Sequence, residues 1–295
     1  MLSPLTQINI HQKEETMKKN VAVHLALAVG AVLAMVGTAH SASMPASSPI
    51  EWKRVYRHDF ADVKDLDRYE SDPKINSTIN VYDRSNKPLQ RPILKSNVTV
   101  VDDPDASDGK AVAVYTRIAD FKTTTGTLSG WTNGRFSVAG HNQSVPVRVQ
   151  VRLRMTPSMG CKSAVMWWPE KGWPWEVDFA ETFGGESLTD KWGSRHTVTE
   201  RWHADINHDG AAKEQLIHDF PLDATVYHVY DLNITPEHMW VNVDGKLIFE
   251  TREKKWIPTT PGHFSIGKAM TGRRNSTKRS EDAVFVDWLE IYKPQ

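Results

Sequence analysis

The feature that most constrains this chain is a succession of short segments in which apolar and polar residues alternate, each closed by a turn signal. They are Val98 to Val101, Ala111 to Ile118, Phe136 to Ala139, Val147 to Met155, Val229 to Ile234, Met239 to Val243, Lys246 to Glu250, Phe264 to Gly267 and Ala283 to Tyr292. A period of two is that of a strand with one face on a core. Helical spacing is scarce, and Gly185 to Asp190 reads at most as a short turn. Asp244-Gly245 joins two of the segments with the residues of a type I′ hairpin turn. Many short strands at such spacing predict an all-β chain, a sandwich of two antiparallel sheets. No internal repeat or interdomain linker interrupts it, and the Pro-, Asn- and Ser-containing stretch from Asp62 to Leu94 suits loops at one rim.

The amino terminus is set apart from this pattern. Met17-Lys18-Lys19, the apolar run Val21 to Val36 and the small residues Gly37 to Ser43 have the order of a cleavable secretion signal. The apolar run is shorter than the roughly 20 residues of a comfortable membrane span. Residues 1–43 are therefore expected to be an upstream extension plus signal, with Met17 the start of translation, and the product to be secreted or periplasmic without a stable membrane association. Residues 50–295 are expected to form one domain. Lys plus Arg equals Asp plus Glu at 36 each over the whole chain, and loss of the leader leaves the mature part near −1. No basic tail or field points to nucleic acid. One cysteine, Cys161, excludes an internal disulfide framework.

Against this background the segment Trp173-Pro174-Trp175-Glu176-Val177-Asp178-Phe179-Ala180-Glu181 is anomalous. It sets three carboxylates among apolar residues with no basic residue between them, although like charges sharing a face repel. Strand alternation puts Glu176 and Asp178 on one face and sends Glu181 to the other. A β-bulge of one residue resets the register, and all three acids then line one face. The outer glutamates would stand about 13 Å apart at Cα, so side chains leaning inward reach the roughly 5–5.5 Å of a retaining glycosidase. The same alternation also describes a strand with one solvated face. What favours chemistry is the company: Trp167, Trp168, Trp173 and Trp175 offer flat faces on which a sugar ring stacks.

The run E-V-D-F-A-E resembles the E-x-D-x-x-E signature of glycoside hydrolase family 16 in the form that carries the bulge, and it follows a similar W-W-P…W-P stretch. Trp52 to Phe60 (WKRVYRHDF) resembles the family's first strand, Tyr227 to Phe249 its paired strands ending in V-D-G, and Val286 to Tyr292 (VDWLEIY) its closing strand. The resemblance implies a β-jelly roll of concanavalin A type with a concave glycan cleft. It implies Glu176 as nucleophile, Asp178 as assisting acid and Glu181 as general acid/base. Candidate substrate-binding residues are Trp168, Trp173, Trp175, Trp131 and His203, the last placed after Trp202 on the strand expected beside the acids. No cofactor is required, but family members often hold a structural calcium far from the cleft, and Asp287 is the candidate ligand. Two positions depart from the family: Trp175 stands where Gly is common before the nucleophile, and Pro146 to Arg152 stands where many members read like Y-G-x-x-E-x-R.

Other constellations carry less. His196, His203 and His208 fit neither H-E-x-x-H nor a zinc-finger spacing. Cys161 sits in an apolar run as a packed thiol. The run Lys268 to Arg279 holds five basic residues and no acid; it reads as a solvated loop, or as an attractor for an anionic polysaccharide at the lip of a cleft. The expected protein is a monomeric retaining endo-glycosidase of a β-1,3- or mixed β-1,3/1,4-glucan. An acidic exopolysaccharide or galactan as substrate, transglycosylation, and a lectin-like module that binds glycan without cutting it are the alternatives.

Overall fold

The strand Val147–Met155 shows how this sequence builds a layer: Val147, Val149, Val151, Leu153 and Met155 are buried, and the residues between them, Arg148, Gln150, Arg152 and Arg154, are not. The computed structural model describes residues 50–60, 81–82, 88–89, 92–123, 126–137, 143–156, 161–170, 176–183, 185–189, 195–198, 201–203, 205–207, 215–216, 219–270 and 281–295. The chain divides into Met1–Pro49 and Ile50–Gln295, and every described residue belongs to the second unit. The expected signal, most of Asp62 to Leu94, Trp173, Trp175 and Arg273 to Arg279 lie outside the described residues.

Among the described residues two antiparallel sheets face each other across the core. The larger has nine strands, in the order Lys246–Thr251, Met239–Val243, His228–Ile234, Val147–Met155, Glu281–Pro294, Lys110–Thr123 and Val98–Asp102, with Trp52–His58 added to Glu281–Pro294 and Gly126–Thr132 to Lys110–Thr123. The smaller has six: Gln215–Leu216, Asp205–Asn207, Val177–Phe183, Cys161–Pro169, Gly262–Met270 and Gly134–Ser137. Val149, Val151 and Leu153 of the large sheet join Val165, Trp167, Phe179 and Phe264 of the small sheet in a single apolar cluster. Each such side chain contributes about 1.5–3 kcal/mol on burial. Trp167 and Phe179 both meet Phe264 edge to face, at 5.2 and 6.3 Å between ring centroids.

Asp244 and Gly245 take φ of 50° and 79°, as a type I′ turn requires. Four elements differ from expectation. Lys110–Thr123 and Glu281–Pro294 run for 14 residues each, because different partners continue the pairing along them. Gly126–Thr132 was invisible in the sequence because Gly, Ser and Thr blur its alternation. Gly185–Thr189 is a strand paired with Arg195–Val198 and not a turn. Backbone pairing supplied by the rest of the fold overrides weak local preference there.

The outer face of the large sheet is a plate of ion pairs. Arg148 holds Asp231, Arg152 holds Asp287, Arg154 holds Asp103, and Arg54 and Arg57 both reach Glu290. All four carboxylates are buried beneath their guanidinium groups.

Candidate active site

The strand Val177–Phe183 lies inside the small sheet, between Asp205–Asn207 and Cys161–Pro169. Val177 stands opposite Trp167 and Asp178 opposite Met166, and then Ala180 stands opposite Val165 and Glu181 opposite Ala164. Phe179 is thus the extra residue of a bulge. Val177, Phe179 and Ala180 all join the core, and the Thr182 hydroxyl turns to Met155 Sδ at 3.8 Å on the core side. Asp178 and Glu181 take the other face. Without the bulge, alternation would point Glu181 into the core beside Val177 and Phe179.

Glu176 immediately precedes this strand and is partly exposed, whereas Asp178 and Glu181 are 1 % and 0 % exposed. Glu181 has Ala164 and then Gly267 as its cross-strand neighbours, and the aliphatic stem of Arg135 packs over Gly267. Asp178 has Met166 and then Ser265 on one side, and Asp205 directly opposite on the other. Buried carboxylates are costly unless hydrogen-bonded or used.

Trp168 shares the outward face of the small sheet with Met166 and Ala164 and is half-buried. Arg135 lies over its ring at 5.1 Å and donates from Nε to Ser265 Oγ at 2.7 Å. His263, opposite Trp168, bonds Glu170 Oε1 through Nδ1 at 2.8 Å. Arg135, His263 and Ser265 were not anticipated. The only trace in the sequence is the alternation of Gly134–Ser137 and Gly262–Met270, whose outward residues come beside the acids only when the sheet is assembled.

Trp131 and Asp287 are placed elsewhere. Trp131 stands opposite Ile118 on an edge strand of the large sheet. His203 belongs to Arg201–His203, which pairs with Asp219–Pro221 and runs beside Val177–Phe183, while the strand hydrogen-bonded to the acidic one is Asp205–Asn207. Asp287 accepts hydrogen bonds from Ser107 N–H at 3.0 Å, from Ser107 Oγ at 2.7 Å and from the Arg152 guanidinium. A calcium ion at this carboxylate would meet a cation already in contact with it, so the donor set does not fit a metal there. Among the described residues no group of His, Cys, Asp and Glu has the arrangement of a metal site. Lys268, read as the first residue of a solvated basic run, is 0 % exposed.

A two-sheet sandwich whose smaller sheet presents carboxylates outward from a bulged strand defines a class of jelly-roll glycosidases. The chain belongs to glycosyl hydrolases family 16, whose profile matches residues 107–290; it is a glycoside hydrolase of a retaining family. The fold is similar to that of the laminarinase catalytic domain from Thermotoga maritima, with 15 % identity, 83 % of this chain and 99 % of that chain covered and a TM-score of 0.62. It is similar to the endo-β-1,3-glucanase from Pyrococcus furiosus, with 16 % identity, coverage of 84 % and 97 % and a TM-score of 0.62. A non-specific endo-β-1,3(4)-glucanase of the same family shares 18 % identity, with coverage of 85 % and 95 % and a TM-score of 0.62. No curated protein matches the sequence.

Proposed function

We propose that the chain is a secreted or periplasmic, monomeric endo-glycosidase that cuts internal β-1,3 or mixed β-1,3/1,4 linkages of a neutral glucan. The observation that carries this reading is the bulge at Phe179, which turns Asp178 and Glu181 to one face of the sheet in a chain of this family. The glucan is suggested by the laminarinases and β-glucanases that share the fold, and the location by the leader-like residues 17–43.

Glu176 attacks the anomeric carbon as Glu181 gives its proton to the leaving oxygen. The glycosidic C–O bond breaks and a glycosyl ester forms on Glu176. Glu181 then takes a proton from water, whose oxygen displaces Glu176 and restores both carboxyl groups. Asp178, between the two, orients Glu176. Trp168 supplies an aromatic edge to the face that carries Asp178 and Glu181. Two displacements at one carbon retain configuration, so the first-formed product of a β-glucan is the β-anomer.

The test is purified mature protein on a panel of glycans, read by product size and by the proton spectrum of the newly formed reducing end. Internal cutting of laminarin or mixed-linkage glucan with β-anomer released first is the expected outcome. Release of α-anomer, or cleavage of no glucan, sinks the assignment.

A further inference from the structure

On the core side of the small sheet, two successive rows of cross-strand neighbours are apolar and the third is not. Phe264, Trp167 and Val177 make one row, and Ile266, Val165 and Ala180 the next. The row that follows is Lys268, Ser163 and Thr182, all buried. Lys268 Nζ donates to Thr156 O at 2.8 Å and to Ser163 Oγ at 2.7 Å, and pairs with Asp282 Oδ2 at 2.8 Å. Thr156 and Asp282 come from the large sheet side: Thr156 follows Val147–Met155 and Asp282 lies in Glu281–Pro294. Thr156 Oγ1 donates to Asp282 Oδ1, and the Ala283 N–H reaches both side chains at 3.0 Å. The polar knot therefore spans the sandwich.

A buried ion pair stabilises no better than apolar residues of the same volume, and its best-attested use is to fix register. Register is what the neighbouring strand has to settle. Thr182 is the residue after Glu181 and lies just beyond the Phe179 bulge. A slip of one position past the bulge turns Glu181 from the outward face into the core. It would also bring Glu181 or Phe183 into the row beside Ser163. Glu181 there adds a second negative charge to a lysine already paired with Asp282, and Phe183 lays a phenyl ring on an ion pair. Only Thr182 fits the row at no electrostatic cost.

We infer that Lys268, with Asp282, Ser163 and Thr156, is a register lock: a positioning residue that holds the end of the acidic strand so that Glu181 faces outward. The kinetic consequence rests on the reading of Glu181 as acid/base; the structural consequence does not.

The test uses the full mature chain with both charges removed, Lys268→Met with Asp282→Asn, in which Asn keeps the Oδ1 acceptor for Thr156 and Ala283. Backbone NOEs that link Glu181 to Ala164 in the wild type should weaken or vanish while the remaining sheet NOEs persist. On polysaccharide, kcat should fall about 100-fold, the scale of lost acid/base assistance, with KM within about twofold. Release of a good aryl leaving group in the first turnover, which needs no acid, should keep its wild-type rate; a general loosening of the fold would slow both. Should that double variant fail to fold, Ser163→Ala with Thr182→Val removes two hydroxyls of the row without touching the charges and should show the same pattern at about tenfold. Wild-type Glu181–Ala164 NOEs in whichever variant folds overturn the lock, whatever glycan the enzyme cuts. A wild type inactive on every glucan overturns the proposed substrate and leaves the NOE result to decide the lock alone.

Discussion

The two outer faces of the sandwich use carboxylates in opposite ways. On the large sheet Asp103, Asp231, Asp287 and Glu290 are each capped by arginine, and the arginines stack in turn on aromatic rings, as Arg154 does on Phe285 at 3.8 Å and Arg148 on Tyr292 at 5.1 Å. On the small sheet the cross-strand neighbours of Asp178 and Glu181 are Met166 and Ala164. The first face satisfies its charges within the protein. The second sets Met166 and Asp205 opposite Asp178 and Ala164 opposite Glu181, with no arginine directly across from either, and in the proposed reading a substrate uses these acids. Asp178 and Glu181 are as deeply buried as the acids of the large sheet, so depth alone does not mark the carboxylates proposed to react.

The largest effect should follow from deleting the reactive ones. Glu176→Ala and Glu181→Ala are each expected to lower kcat by about 10³-fold or more, because each removes a bond-making or proton-transfer step. The thermal midpoint should stay near wild type in both. Azide should restore turnover to one of them and yield a glycosyl azide of defined anomer. Hydrolysis at the wild-type rate in either variant would erase the contrast between the faces.

Deleting a structural carboxylate's partner should do the reverse. Asp103 accepts from Arg154 at 2.8 and 3.1 Å, from Tyr227 Oη at 2.8 Å and from the Asp105 N–H at 3.2 Å. Arg154→Ala leaves this buried acid short of its cation, and a loss of about 3 kcal/mol in urea unfolding is expected. The kcat per folded molecule should be unchanged. A large fall in kcat with unaltered stability would show that the outer plate serves the reaction.

The same pairs set a pH dependence. Burial by itself pushes Asp103 up, but the hydrogen bonds from Arg154, Tyr227 and the Asp105 N–H outweigh it and hold the carboxyl below its ordinary value. Burial likewise opposes the bonds from Tyr292, Arg57 and Arg54 at Glu290, and the net direction is again downward. A depressed carboxylate contributes stability that is complete above the unfolded-state value and is lost as pH falls through the folded one. The thermal midpoint should therefore drop on the acid side of the ordinary carboxylate range, and Asp103→Asn should start lower and flatten that limb. An acid limb unchanged in Asp103→Asn would assign the pH dependence to other groups.

The contrast was half legible in the sequence. Glu176, Asp178 and Glu181 stood out because three like charges in an apolar strand have no stabilising explanation, and the period of two demanded the bulge that the register shows after Asp178. Val147–Met155 and Met239–Val243 were bounded correctly because their alternation is unbroken. Arg135, His263 and Ser265 were not seen, since their neighbours on the outward face come from strands more than 90 residues apart in some cases, as in the His263–Glu170 bond with its separation of 93. Lys268 was misread because a run of basic residues looks solvated whichever member turns inward. Asp103 and Asp231 gave no signal and Asp287 was read as a calcium ligand, since an arginine brought in by another strand leaves no mark in local sequence.

The smallest expected effect is an absence of one, and it concerns the substrate. If the small sheet's outer face binds a neutral glucan, its contacts are stacking on rings such as Trp168 and hydrogen bonds, which salt barely touches. If the basic residues Arg273, Arg274, Lys278 and Arg279 instead recruit an anionic chain, the attraction must weaken as the Debye length shrinks from about 8 Å at 0.15 M to about 3 Å at 1 M. KM on laminarin is expected to stay nearly constant between these ionic strengths, and to stay constant when the four basic residues are replaced by Ser. Measured beside it, an acidic polysaccharide should be a poor substrate at both. A strong preference for the acidic chain, lost both in salt and in the Ser variant, would move the substrate from neutral to anionic glycan; the contrast between the faces would then sharpen, with the large sheet spending its arginines on its own carboxylates and the basic run reserving its charge for a ligand.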